Sequence, residues 1–354
     1  LLAQELLSPR EIFSTVYGHA DVTYERMSGG RQMAGHFLSE MINSSKEWIN
    51  QTNIKNHISD VSPLATQMSR LVGLGLASKI YRYNKIKNSS KFSNNGNEIV
   101  WGSIGNASTS QGVFFESVNA CGVLQIPAVI SIWDDEYGIS VDNKYHTTKE
   151  SISKALNGFK LTKNQSGIEI LKVKGWDYPD LVSVYEKAEK LAREKHIPSI
   201  IHVYEMTQPT GHSTSGSHER YKSKERLQWE QDFDCIKKFK EWIIENGIAT
   251  IEELETIDKE SVDTVKKQKK EAWTEYQSPI KAEWKELLEI FNSIDDHLNI
   301  PEIAAWIQDL NQSAMFGIFR RDLLSKARTL LGMIINHNII EKETLRNFIN
   351  RISI

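Results

Sequence analysis

One alternation over residues 98–206 constrains the fold more than anything else in the chain. EIVWGSIG reads as a strand, QGVFFESVNACGVL as a largely buried helix, and PAVISIWD as a second, β-branched strand. GIEILKVKGW then reads as a strand, LVSVYEKAEKLAREK as an amphipathic helix and PSIIHVYEM as a strand. Short, continuous apolar runs suit strands buried on both sides. With helices between them they predict an α/β fold, a mostly parallel sheet with helices on both faces. In such sheets ligands sit beyond the carboxyl ends of the strands.

The flanks read differently. Residues 62–83, SPLATQMSRLVGLGLASKIYRY, open with Ser-Pro, a good helix start, and carry small residues on one face. KNSSKFSNNGNE is a polar turn cluster. After Lys222 the chain is rich in Lys, Glu, Trp, Leu and Ile with helical periodicity. KKQKKEAWTEYQSPIKAEWKELLEIF reads as a long solvated helix with an apolar stripe. A soft boundary falls at Ser278-Pro279, giving a sheet domain over 1–278 and a helical C-terminal extension or linker over 279–354. Trp273, Trp284 and Trp306 on that stripe read as core rather than interface.

Composition excludes several classes. A net charge of −3 gives no global preference for nucleic acid, and no apolar run reaches bilayer length. The two cysteines, Cys121 and Cys235, have no neighbour at metal or disulfide spacing, which points to a reduced, cytoplasmic setting. The opening LLAQELLSPR reads as the middle of a helix, so further residues are expected upstream.

The chemistry lies at the strand ends. Gly105-Asn106-Ala107 follows one strand and leads into a helix, a turn small enough to let backbone N–H groups approach a phosphate. Asp134-Asp135 end the next strand. In a parallel βαβ unit both turns share one sheet edge, so Asn106 and Asp135 can converge. An amide oxygen, a carboxylate and a backbone carbonyl form a hard oxygen set that suits Mg²⁺ completed by phosphates and water. The alternative is that both aspartates simply cap the turn DEYG.

The run GNAS–x–x–QG–x–FFE–x–x–N, followed by DDEYGIS, resembles the cofactor segment of the thiamine-diphosphate-dependent 2-oxo acid dehydrogenases, α subunit, of the branched-chain and pyruvate type. SPLATQ at 62–67 and GHSTS at 211–215 resemble two further segments of that family, in the same order. The similarity covers roughly residues 10–245. It implies the thiamine-diphosphate-binding fold, with Ser62, Leu64, Gly105, Asn106, Ala107, Ser108, Asp135, Tyr137 and Ile139 at the cofactor. Asn106, Asp135 and the Tyr137 carbonyl would hold Mg²⁺. A structural K⁺ would lie near Thr66 and Gln67. His212 and His36 are the implied catalytic residues, as imidazoles able to donate a proton near working pH.

The departures matter. The family's metal-binding Asp falls on Asn106 and its second Asn on Asp135, an exchange that keeps one amide and one carboxylate. Gly216-Ser217 stand where relatives carry paired aspartates. Gln208 stands where relatives carry a phosphate-binding arginine. Ser213 matches a serine that animal relatives phosphorylate, in altered surroundings.

The resemblance further implies oxidative decarboxylation of a 2-oxo acid, branched-chain or pyruvate, and acyl transfer to a lipoyl-bearing acyltransferase. The glutamate that activates the cofactor comes from a β half in that family, as a separate subunit or a fused segment. This chain alone is therefore expected to be inactive, and to work as an αβ heterotetramer or a homodimer of fused chains. A non-catalytic scaffold on the same fold is the competing expectation.

Overall fold

A computed structural model describes residues 2–31, 37–58, 63–212, 217–313 and 317–353. In chain order the helices are α1 (Pro9–Tyr17), α2 (Gln67–Tyr83), α3 (Gly112–Leu124), the short α4 (Ile152–Ala155), α5 (Tyr178–Lys195), α6 (Lys224–Asp232) and α7 (Cys235–Glu245). The long α8 (Ile251–Leu298), α9 (Pro301–Ser313), α10 (Arg320–Met333) and α11 (Glu341–Ile352) follow. The strands are β1 (Val100–Gly105), β2 (Ala128–Trp133), a two-residue hairpin of β3 (Tyr137–Gly138) and β4 (Val141–Asp142), then β5 (Glu169–Lys174) and β6 (Ser199–Tyr204). Two compact units result: Leu1–Gly35 with Lys259–Ile354, and His36–Asp258.

The second unit is built on a four-stranded, all-parallel sheet in the order β1-β2-β6-β5. The path β1→β2 steps one way across the sheet and β5→β6 the other. Right-handed crossovers therefore send α3 and α5 to opposite faces, and the two cores agree. On one face Phe114, Val118 and Cys121 of α3 pack with Met68 and Leu71 of α2 and with Ile130 and Ile132 of β2. On the other, Ala188 and Ala192 of α5 pack with Val129, Leu171, Ile201 and Val203. This is the α/β architecture expected from the alternating runs. The strand order reverses between β2 and β6, the type of position where doubly wound sheets bind ligands.

Local chemistry starts and stops the helices. Asp177 caps α5 through the Asp180 N–H, Pro179 sits in its first turn, and His196 ends it in the left-handed region. In the first unit Ser8 and Glu11 form a capping box at the start of α1, and Gly18 closes it.

The remainder of the first unit is an all-helical core. Leu287, Phe291 and Ile294 of α8 are fully buried with Leu323, Ala327 and Leu330 of α10 and Leu345 of α11. Trp284 and Trp306 pack against this core, while Trp273 meets Tyr17 and Tyr276. Ser278-Pro279, read as a boundary in the sequence, lies inside α8, which continues through the proline to Leu298. Among the described residues no helix is long and apolar enough to cross a membrane.

Candidate cofactor site

The two strand-end turns meet. Gly105 of β1 pairs with Trp133 of β2, and the Asn106 N–H donates to the Trp133 carbonyl at 3.0 Å. The next residue of the second strand, Asp134, donates its N–H to Val203 of β6 at 2.8 Å. Both turns thus leave the same sheet edge. They then close on each other: a Cβ added to Gly138 would lie 2.6 Å from the Ala107 Cβ, so only glycine lets the hairpin approach the first turn. Ser110 ties the same junction by donating from Oγ to the His146 carbonyl at 2.8 Å.

Beside this junction lies a cavity of about 220 Å³ lined by Leu64, Ala65, Gln67, Ser103, Ile104, Gly105, Ser108 and Trp133. It sits at the carboxyl ends of β1 and β2. Gly105 is part of its lining, and a Cβ there would meet nothing within 4 Å. Gln67 is held by its Nε2 donating to the Ser103 carbonyl at 3.3 Å. Leu64 and Trp133 stand exposed at the rim.

Asn106 is buried, and its Nδ2 has no hydrogen-bond partner. An orphaned buried amide costs free energy unless something else occupies it. Asp135 is half-buried and its carboxylate accepts the Tyr137 N–H at 3.3 Å. Burial pushes its carboxyl above the ordinary range, while the Tyr137 N–H and the Lys222 charge oppose that shift. Asp134 accepts the Glu136 N–H at 2.8 Å, so both aspartates also brace their own turn.

Of the residues expected at the cofactor, Leu64, Gly105 and Ser108 line the cavity, and Asn106, Ala107, Asp135 and Tyr137 form the adjoining junction. Ile139 lies at the hairpin tip, exposed, in the left-handed region at φ 59°. Thr66 immediately precedes α2, next to Gln67. His212 is exposed and Gln208 half-buried in the loop after β6. His36, Ser62, Ser213 and Gly216 lie outside the described residues.

Among the described residues no three His, Cys, Asp or Glu side chains cluster at metal spacing. A cation here would rest on one carboxylate, one amide and one carbonyl. That donor set fits Mg²⁺ carrying a diphosphate, because such sites need few protein ligands.

Two groups beside the site are not evident from the turn motifs. His202 of β6 places Nε2 2.8 Å from Asp134 Oδ2 and Nδ1 2.9 Å from Ser153 Oγ, all buried. The signal was a lone histidine inside an apolar strand. Lys222, just before α6, forms a second group with Arg226 and Glu230 on α6, and their regular spacing of four residues was its signal.

Comparison with known proteins places the chain. Residues 1–281 match the family model of the dehydrogenase E1 component. The chain is 25% identical over 270 residues to the 2-oxoisovalerate dehydrogenase subunit alpha 1 of Arabidopsis thaliana, covering 75% of this chain and 48% of that protein. It is 25% identical over 226 residues to the 2-oxoisovalerate dehydrogenase subunit alpha of Bacillus subtilis, covering 64% and 58%. A pyruvate dehydrogenase E1 component subunit alpha of Rickettsia bellii matches at 25% over 173 residues, covering 49% and 50%. The chain spans about half the length of these relatives. With the family match extending over most of the sequence, the chain belongs to the dehydrogenase E1 component family.

Proposed function

We propose that this chain supplies the diphosphate-binding half of a 2-oxo acid dehydrogenase active site. Membership of the E1 family implies dependence on thiamine diphosphate. The observation that carries the rest is the cavity at the ends of β1 and β2, open above Gly105 and adjoined by the Asn106–Asp135 junction. Asn106, Asp135 and the Tyr137 carbonyl would hold Mg²⁺ and through it the diphosphate. Gly105, Ala107 and Ser108 leave room for the phosphates, and Leu64 offers an apolar surface for the thiazolium ring. Thr66 and Gln67 would hold a structural K⁺.

When bound, thiamine diphosphate supplies an electron sink that permits a 2-oxo acid to lose carbon dioxide. The protein residues do other work. His212, and His36 on the substrate side, would donate protons to the reacting carbonyl oxygen and to the acceptor sulfur during transfer to a lipoyl arm. Leu64 and Trp133 would present apolar surface to the bound cofactor at the rim. The β half, separate or fused, contributes the group that activates the cofactor, in an αβ heterotetramer or a homodimer of fused chains. Branched-chain 2-oxo acids and pyruvate are the substrate candidates, in a cytoplasmic setting.

The test is turnover. The purified chain should release no carbon dioxide from 2-oxoisovalerate or pyruvate, and adding the β half should produce cofactor-dependent release. Turnover by the chain alone, or none with the β half present, would sink this reading.

A further inference from the structure

The turn that carries Asp135 is held from outside by an ionic clamp more than eighty residues further along the chain. Arg226 of α6 donates from Nη2 to the Asp135 carbonyl at 3.0 Å and from Nη1 to the Glu136 carboxylate. Its third arm, Nε, donates to Glu230 at 2.9 Å. Glu230 is itself buried, and Lys222 Nζ grips both its oxygens at 2.7 and 2.9 Å. The guanidinium is therefore fixed on one side by a buried carboxylate and reaches across to the turn with the other. Its planar fork is suited to this, because an ammonium would offer no set angle between donors.

The turn has a reason to need holding. Glu136 sits at φ 70°, a left-handed conformation unfavourable for a residue with a Cβ. Arg226 grips the carbonyl before this residue and the side chain of the residue itself. The Tyr137 ring also lies 5.0 Å from Lys222 Nζ and 5.5 Å from the Arg226 guanidinium. Every residue from Asp135 to Tyr137 is thus in contact with the clamp.

We infer that Arg226 is a positioning residue for the cation-binding turn: anchored by the buried Lys222–Glu230 pair, it sets the Asp135–Tyr137 backbone so that its oxygens are ready for a magnesium diphosphate. This inference rests on the cofactor reading above. Pre-set ligands lower the cost of binding because the turn is ordered before the ligand arrives. The clamp replaces a contact the ligand would otherwise have to make.

The test compares Arg226→Met and Arg226→Lys with the native protein, using the full chain, Mg²⁺ and thiamine diphosphate as probes. At fixed thiamine diphosphate, calorimetry should give an apparent Mg²⁺ dissociation constant at least about tenfold higher for the Met variant. The Lys variant, with the charge but not the fork, should recover only part of this loss. Hydrogen exchange should accelerate at the Glu136 and Tyr137 amides while β1, β2 and α3 stay protected. A Mg²⁺ constant within twofold of native, full recovery with lysine, or acceleration spread through the whole sheet would each overturn the positioning role. If the native chain binds no cofactor, the reading beneath the inference fails, and the role falls with it.

Discussion

The helical core and the carboxyl edge of the sheet invert each other. In the helical unit Leu287, Phe291, Ile294, Leu323 and Leu330 are fully hidden. At the sheet edge Leu64, Trp133 and Ile139 are 60%, 51% and 61% exposed, while Asp134, His202, Lys222 and Glu230 are buried. Apolar groups in water and charges out of it both cost stability. A chain that packs its helices so completely is able to bury leucine, so the opposite choice at the sheet edge needs a reason. A ligand that covers the apolar rim, and a turn that needs an ionic brace, supply one.

The largest effects should come from where burial is complete. Glu230→Ala strands Lys222 without its partner, and removing one member of a buried pair costs about 3–5 kcal/mol. Denaturant unfolding of the Glu230→Ala chain should show that loss. Replacing the whole pair, Lys222→Met with Glu230→Leu, should recover most of the stability but not Mg²⁺ affinity. In the helical core Leu330→Ala should cost about 2–5 kcal/mol through lost burial and the cavity left behind. Cofactor binding should not change in that variant. A Leu330 variant that bound cofactor more weakly without unfolding would break the contrast between the regions.

At the open edge the balance reverses. Leu64→Ser should change stability by about 0.5 kcal/mol or less, as exposed positions do, yet weaken cofactor binding severalfold. If stability falls steeply instead, Leu64 is core and the rim reading fails.

A separate effect concerns pH. His196, at the end of α5, is buried with neither ring nitrogen partnered. Burial, with Arg82 and Lys79 adding to it, lowers its pKa from 6.5 to about 4. The unfolded chain then binds the extra proton first. Stability is therefore full above about pH 6.5 and falls as pH drops toward 4. His196→Gln should flatten that slope, measured as melting temperature against pH. An unchanged slope would show that other groups set it.

The sequence made the sheet legible because its strands are continuous apolar runs, and runs of that length leave little choice but burial on both sides. It also brought out Gly105–Ser108 and Asp134–Tyr137, since turns at the ends of adjacent parallel strands share an edge. Arg226 escaped because its partner turn lies so far back in the chain, and a helical i, i+4 spacing names partners only along one helix. Pro279 misled in the other direction. Proline inside a helix costs about 3 kcal/mol, which argues for a break. Ile280, Leu287, Ile290 and Phe291 follow it closely and are all buried, so packing offsets the cost and α8 runs on.

The most direct test is a calorimetric titration of Mg²⁺ and thiamine diphosphate into the full chain together with its β half, repeated with EDTA and with Asp135→Ala. Binding should depend on the metal, vanish with EDTA and weaken at least about tenfold with the substitution, the loss of one charged ligand. No binding at millimolar cofactor, or binding indifferent to EDTA and to Asp135, would contradict the cofactor reading.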